Sequence, residues 1–445
     1  MSMDAHRIRA WVVTADMGFG HQRAAHALAH LAEGGVITAG SPDVTDVREV
    51  RFWDRLRKSY ETLSRIKQVP VIGGLLFSVL DGFLRIPPFY PLRDLSHPSP
   101  NNYFLERLIK QGLGRSLIER LRSQPLPIVS TFYASAMIAD KLLVGSPNYC
   151  VICDTDLNRI WVASNARRSN IVYFAPCGRA MRRLREYGVP DERIFITGFP
   201  LPLENLGGPE LPVLKADLLA RLARLDPRGR FLSVYGHTVE NLLGGAPPAS
   251  NGNGRVTVTF AVGGAGAQTE IGVTLLRSLK PGILTGSCRL ILIAGVNRVI
   301  ETLFREAAVK AGLESALGDG VVIVCEPTKN EYFTRFNAVM RETDILWTKP
   351  SELSFYTGLG LPIVMAPSIG AQENKNASWL GEKNCGIPQE DPALALEWLA
   401  DLVKEGVLAE KAFSGFAKNR KLGAYRVEEV LATGRMTRET HPLRR

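Results

Sequence analysis

Short apolar runs alternate with stretches of 3.6-residue periodicity along most of the chain. In the first half Ile8–Thr14 reads as a strand, His21–Ala32 as the helix behind it, and Val47–Arg51 as a further strand. Ile128–Thr131, Tyr149–Cys153 and Asn170–Phe174 are short apolar strands, and Gly178–Tyr187 is the helix after the last of them. The second half repeats the alternation: strands over Val256–Val262, Arg289–Ala294, Val321–Cys325, Ile345–Thr348 and Pro362–Ala366. Between them come helices over Val213–Leu225, Thr269–Leu279, Val299–Ala311 and Asn330–Glu342. Phe231–Tyr235 reads as one more strand, Gly236–Gly254 as a surface insertion, and the last helices run from Pro392 to about Leu431. Strands buried on both faces and spaced by helices predict parallel sheets covered on both sides.

A chain of 445 residues is too long for one ordinary core. The Pro- and Gly-rich stretch Pro200–Pro212 is a natural joint. The expected division is an N-terminal Rossmann-like domain over 1–205, a second over 206–405, and C-terminal helices with a tail over 406–445. Within the first, Asp54–Leu95 departs from the alternation: apolar and aromatic residues broken by Gly and Pro follow a cluster of Arg51, Arg55, Arg57, Lys58, Arg65 and Lys67. It reads either as a helical subdomain packed on the core or as an interfacial element whose basic residues meet anionic lipid.

Composition narrows the function. No run reaches the roughly 20 apolar residues of a membrane span, and the N-terminus lacks a signal-peptide pattern. The expected location is therefore cytoplasmic, peripheral on the inner face of a membrane if 54–95 is interfacial. A net charge of +10 points to an anionic surface or phosphorylated ligands. Dispersed arginines without a zinc finger, RNP motif or basic heptads argue against nucleic acid. Cys150 and Cys153 form a C-x-x-C inside an apolar strand, which reads as buried, reduced thiols rather than a redox or zinc site.

Each half opens its sheet with a glycine-rich strand-to-helix turn, one through Asp16-Met17-Gly18-Phe19-Gly20-His21 and one through Gly263-Gly264-Ala265-Gly266. Such turns let a ligand approach backbone N–H groups at a helix N-terminus. Two at equivalent places predict two Rossmann-like domains facing one another across a cleft. His21, at the mouth of the first turn, has the chemistry of a general base, and equally reads as a surface residue at a helix start. His26 and His30 follow on the same helix without acidic or thiol partners at matching positions, so no metal is expected.

The motifs in order carry a family resemblance. Met17-Gly18-Phe19-Gly20-His21-x-x-Ala24-Ala25 resembles the G-G-G-H-x-x-A-A signature of monogalactosyldiacylglycerol synthases and diacylglycerol glucosyltransferases. These are themselves similar to the peptidoglycan lipid-linked N-acetylglucosaminyl transferase, of glycosyltransferase family 28 type. Asp154 and Trp161 resemble that group's D-(x)6-W segment, and Tyr187–Pro190 with Ile196–Pro200 resembles its G-V-P … V-T-G-I-P. Ala294-Gly295-x-Asn297-Arg298 resembles C-G-R-N, Thr348-Lys349-Pro350 resembles T-K-P-G, and Gly370-Ala371-Gln372-Glu373-x-x-Asn376 resembles P-G-Q-E-x-x-N.

The resemblance implies a GT-B glycosyltransferase that moves a sugar from a nucleotide diphosphate sugar, UDP-linked, to a hydroxyl of a lipid or amphipathic acceptor with inversion, and without a metal or other cofactor. It implies His21 as base, supported or replaced by Asp154, and Gly18, Gly20 and Trp161 on the acceptor side. It places Gly263, Gly264, Gly266, Asn297, Lys349, Glu352, Gln372, Glu373 and Asn376 on the donor side. Asp154 reads equally as a helix cap, and Gln372–Asn376 as a helix start with polar caps. Two departures stand out. The family's histidine four residues after the aspartate is Asn158 here, and the segment after Lys349-Pro350 runs Ser351-Glu352-Leu353-Ser354-Phe355-Tyr356-Thr357, without the glutamate that binds the donor ribose. The rival readings are an epimerase or hydrolase of nucleotide sugars on the same frame, and a non-catalytic relative that binds them.

Overall fold

A computed structural model of the chain describes residues 8–46, 49–50, 53, 86–248, 254–261, 266 and 268–439. The chain divides into two compact units. One takes Met1–Pro200 with Ile369–Asn376 and Leu422–Arg438, and the other takes Leu201–Ser368, Ala377–Lys421 and Glu439–Arg445.

The first unit is built on a six-stranded sheet of β1 (Trp11–Ala15), β2 (Ile37–Ala39), β3 (Ile128–Ser130), β4 (Asn148–Val151), β5 (Ile171–Phe174) and β6 (Ile194–Phe195). All pairs are parallel, in the order β2-β1-β3-β4-β5-β6. Every residue of β1 and β3 is buried, as their uninterrupted apolar runs require. The chain steps from β1 to one side and then returns to the other, so the strand order reverses between β1 and β3. Ligands of open α/β sheets bind outside the carboxyl ends of the strands at such a reversal. The helix Phe19–Ala27 follows β1 through Gly18, whose φ of 104° suits glycine alone, and its Ala24, Ala25 and Ala27 are buried.

The second unit holds β7 (Val256–Ala261), β8 (Cys288–Gly295), β9 (Val321–Cys325), β10 (Ile345–Thr348), β11 (Ile363–Met365) and β12 (Gly386–Pro388). These too are parallel, in the order β12-β11-β10-β7-β8-β9, and the reversal falls between β7 and β10. The amino end of β10 is fixed by buried charge. Asp344, fully buried, accepts from Arg224 Nε at 2.9 Å and from Thr257 N at 2.9 Å. Arg221 beside it donates to the carbonyls of Thr343, Met340, Leu359 and Gly360, and burial lowers its pKa to about 10.

The two predicted α/β layers are present, with these differences. Phe231–Tyr235 is not a strand: the chain there starts the helix Leu232–Leu243, because Asp226 accepts from Phe231 N (3.2 Å) and Leu232 N (2.8 Å) and so caps it. That helix also takes in the predicted surface insertion as far as Leu243, and 249–253 of the insertion lies outside the described residues. The edge strand β2, Ile37–Ala39, is additional, while Glu49 and Val50 of the predicted strand Val47–Arg51 are helical and its other residues lie outside the described ones. Of Asp54–Leu95, residues 54–85 lie outside them; 86–95 is irregular, with Tyr90 67% and Leu92 73% exposed. None of the six cysteines forms a disulfide, and burial pushes the Cys150 thiol up, as expected of a structural cysteine. No described helix is long and apolar enough to cross a membrane.

One glycine sets the spacing between the helix Thr269–Ser278 and β7. A Cβ at Gly272 would fall 2.7 Å from Phe304 and 3.0 Å from Phe260, both buried rings. Gly272→Ala is expected to destabilise the second unit by about 1–3 kcal/mol, as overpacking a tight core does. Urea titration followed by circular dichroism checks this, and an unchanged midpoint would mean the two rings can part without cost.

Candidate functional site

The carboxyl ends of β1 and β3 lie side by side because Val13 pairs with Ser130. Thr131, the residue after β3, gives its N–H to Val13 O (2.9 Å) and its hydroxyl to Thr14 Oγ1 (3.0 Å). Its carbonyl accepts from His21 Nδ1 at 2.8 Å. A carbonyl only accepts, so a proton sits on Nδ1 in this contact, and Nε2 is the ring nitrogen that could exchange a proton with a ligand. The ring plane is held by Phe132 (centroids 5.1 Å apart) and Trp161 (5.8 Å), and Trp161 packs in turn on Tyr133 (5.3 Å). Of the acceptor-side residues expected from sequence, Gly18 and Gly20 form the turn and first helical residues ahead of His21, and Trp161 lies buried against its ring.

Asp154, just past β4, and Asn376, within the helix Ala371–Glu382, are brought together. Asn376 Nδ2 donates to Asp154 Oδ1 at 3.0 Å, and its Oδ1 accepts from Thr155 N (3.0 Å) and Thr155 Oγ1 (2.7 Å). Asn376 is fully buried, and its amide is committed to these groups in this structure. Glu373 accepts from Ile369 N (2.5 Å) and Gly370 N (3.4 Å) and so closes the turn ahead of its own helix. Gln372 is half-buried one residue earlier. Asn158, where the resembled pattern has histidine, is only 4% exposed, and its Oδ1 has no hydrogen-bond partner among the described residues. The neighbouring carboxylate, Asp156, is fully buried and paired with Arg183 (Nε to Oδ1 2.8 Å), which makes it a structural charge.

In the second unit the reversal between β7 and β10 gathers other expected residues. Gly263 and Gly264 lie outside the described residues. Gly266, at a φ of 71°, accepts the Thr269 hydroxyl at 2.6 Å, just where the helix Thr269–Ser278 begins. Across the reversal, Thr348 Oγ1 donates to Ala261 O (3.2 Å), so Lys349 and Glu352 follow the end of β10 that lies beside the end of β7. Glu352 opens the 3-10 helix Glu352–Leu359, and Phe355 one turn on is buried against Trp379 (5.4 Å). Asn297 has a separate part, accepting from Val299 N (3.0 Å) and Ile300 N (3.4 Å) as the cap of the helix Arg298–Lys310. Among the described residues no group of three or more His, Cys, Asp or Glu is arranged to hold a metal ion.

Sequence reading missed Thr131, Phe132 and Tyr133, which hold His21 and Trp161. The available signal was their position directly after the apolar run Ile128–Thr131.

Two six-stranded parallel sheets with their covering helices define an α/β fold of the GT-B type. By structure the chain is similar to a protein described as a UDP-N-acetylglucosamine 2-epimerase from Listeria monocytogenes, at 11% identity and a TM-score of 0.50 over 96% of each chain. It is also similar to MnaA from S. aureus in a co-structure with UDP (12% identity, TM-score 0.48, over 95% of this chain and 96% of that one). MurG from Acinetobacter baumannii is a further similar structure (13%, 0.47, 95% and 99%). Identities this low establish a shared fold. A family model described as a domain of unknown function, DUF6938, matches residues 301–430. No curated protein matches the chain.

The amide of Asn376 separates Asp154 from Thr155 and satisfies both. Asn376→Leu removes the acceptor of the buried Thr155 N–H and hydroxyl, and a buried donor left unpaired costs about 1–3 kcal/mol. Asn376→Asp sets a second carboxylate against Asp154. Like charges raise the pKa of such a pair in the folded state, so whatever stability that variant keeps at low pH is lost as pH rises through the carboxylate range. Thermal melts at pH 4 and pH 8 test this; equal losses at both would show that Asp154 carries no charge at this contact.

Proposed function

We propose that the chain is a glycosyltransferase that moves a sugar from a nucleotide diphosphate sugar, UDP-linked, to a hydroxyl of a lipid or amphipathic acceptor. The observation that carries this is the His21 Nδ1 bond to Thr131 O, which holds a histidine in a defined orientation at a reversal point where the fold binds ligands. In the reaction an acceptor oxygen forms a bond to the anomeric carbon while the bond from that carbon to the diphosphate oxygen breaks. His21 Nε2 takes the acceptor proton, and attack opposite the leaving group inverts the centre. The N-terminus of the helix Thr269–Ser278 and Lys349 supply positive charge for the departing diphosphate, so no metal is called on. Glu352 supplies a carboxylate for donor hydroxyls.

An amphipathic acceptor and an anionic, inner-leaflet membrane surface in the cytoplasm fit the exposed Tyr90 and Leu92 beside the arginines of the helix Gly178–Glu186. Arg182 lies 4.2 Å from the Phe89 ring and 5.0 Å from that of Tyr90. The structural likeness to a protein described as a UDP-N-acetylglucosamine 2-epimerase favours a second reading, chemistry on the nucleotide sugar alone.

His21→Ala is expected to lower turnover by about 10²–10⁴ while leaving UDP affinity nearly unchanged, because a general base acts in the transition state. Near-normal turnover would remove His21 from the mechanism. UDP at about 100 times its dissociation constant should add roughly 2.7 kcal/mol of apparent stability. Glu352→Gln should weaken that binding by about 10- to 150-fold, the worth of a charge-assisted hydrogen bond. Consumption of a UDP-sugar at the same rate with and without any acceptor alcohol would favour the epimerase or hydrolase reading.

A further inference from the structure

Beside the turn that carries His21, the first unit holds a cavity of about 270 Å³ that none of the residues above accounts for. It opens at the carboxyl ends of β1 and β2 and is lined by Asp16, Met17, Thr38, Gly40, Ser41 and Trp53, with Val50 and Pro42 completing the wall. The wall is built rather than incidental. Gly40, at a φ of 84°, lies so close to Trp53 that a Cβ there would fall 2.5 Å from Trp53 Cγ, so the base of the indole packs on bare backbone. Trp53 Nε1 donates to Glu49 Oε1 (3.5 Å), and the Glu49 carboxylate is itself held by Gly114 N (2.6 Å) and Ser116 Oγ (3.1 Å). On the opposite side Asp16 Oδ1 accepts from Gln22 Nε2 at 2.8 Å, and Gln22 is the residue after His21 in the helix Phe19–Ala27.

The lining selects a ligand by chemistry. Among the described residues it has one carboxylate and no lysine or arginine, which disfavours a phosphate or another anion. The hydroxyls of Thr38 and Ser41 make no side-chain hydrogen bond among the described residues, so both can donate and accept toward a guest. An indole face with Met17 and Val50 offers apolar contact to C–H groups. The volume lies below the roughly 300–1,000 Å³ of sites for drug-sized ligands, so it takes one small ring and not a lipid chain.

We propose that this cavity binds a neutral polyol, a single sugar ring or a glycerol-like unit, with Asp16, Thr38 and Ser41 reading its hydroxyls and Trp53 covering its C–H face. Its description as the subsite for the hydroxylated head of the acceptor rests on the transfer reading above; the binding itself does not. Asp16 and His21 flank the same turn, Met17–Gly20, so a head group seated on Asp16 brings its remaining hydroxyls toward the helix that carries the base.

The test uses the full chain without donor. Methyl hexosides and glycerol are titrated by saturation-transfer NMR and by tryptophan fluorescence, in the wild type and in Trp53→Phe, Asp16→Asn and Ser41→Ala. Ethanolamine serves as the cationic alternative. The proposal expects millimolar polyol binding, a fluorescence change absent from Trp53→Phe, and affinity about ten-fold weaker in Asp16→Asn. Ser41→Ala removes only a hydroxyl and covers the case in which the Asp16 variant does not fold; it should weaken the same ligands. Polyol binding indifferent to all three substitutions, no binding in the wild type, or preference for ethanolamine would overturn the proposal. UDP-induced stabilisation measured on the same samples separates the outcomes. Polyol binding without any UDP effect would sink the transfer reading and leave the cavity standing, and the reverse would sink the cavity alone.

Discussion

The bond from His21 to the Thr131 carbonyl depends on nearly everything around it. Thr131 is the first residue beyond β3, so its N–H makes the last rung to Val13 while its carbonyl has passed the end of the ladder. A buried carbonyl there needs a donor, and the imidazole supplies it, with the Cys153 thiol at 3.6 Å as a weaker second. The requirement to satisfy one backbone oxygen thus fixes the tautomer of the histidine. It holds only while β1 and β3 are parallel neighbours, and while Gly18 turns the chain sharply enough for the helix Phe19–Ala27 to begin above them.

The second unit divides its labour in the same way. Rigidity sits at the amino end of β10, where buried Asp344 accepts from half-buried Arg224 and from Thr257 N, and buried Arg221 donates to the Thr343 carbonyl. Such a pair contributes little net stability after desolvation, but removing one partner strands the other. That asymmetry holds the register of β10 against β7. The carboxyl ends of the same two strands then lead to Gly266, Lys349 and Glu352, which do not have to provide the cohesion of the sheet.

Much of this was legible in the sequence for a physical reason: strands buried on both faces must be apolar throughout, and the helices covering them must be amphipathic. Ile345–Thr348 and Val321–Cys325 were therefore readable to the residue. The edge strand β2 was not, since Ile-Thr-Ala is too short to show alternation and is specified by its pairing with Val13–Ala15. Phe231–Tyr235 misled because a five-residue apolar run fits either period. The deciding signal was Asp226, five residues before the run, acting as a cap through space. His21 was legible from its glycine turn. Its hold on Thr131 and Trp161 joins residues more than a hundred apart in sequence and is a product of topology. The tie from Asn376 to Asp154 was hidden for the same reason, each residue having been singled out for a separate role.

The segment after Lys349-Pro350 gains a physical meaning from its conformation. Phe355 is buried against Trp379, so an apolar side chain there is a packing requirement, and a carboxylate could not occupy the place without being desolvated. The segment is a 3-10 helix over Glu352–Leu359, in which residues three apart eclipse one another. Glu352 therefore stands on the same face as Phe355, one turn earlier, about 6 Å nearer the end of β10 at 2.0 Å of rise per residue. The tighter helix gives Phe355 to the core and leaves Glu352 half-exposed beyond the end of β10, near the reversal between β7 and β10.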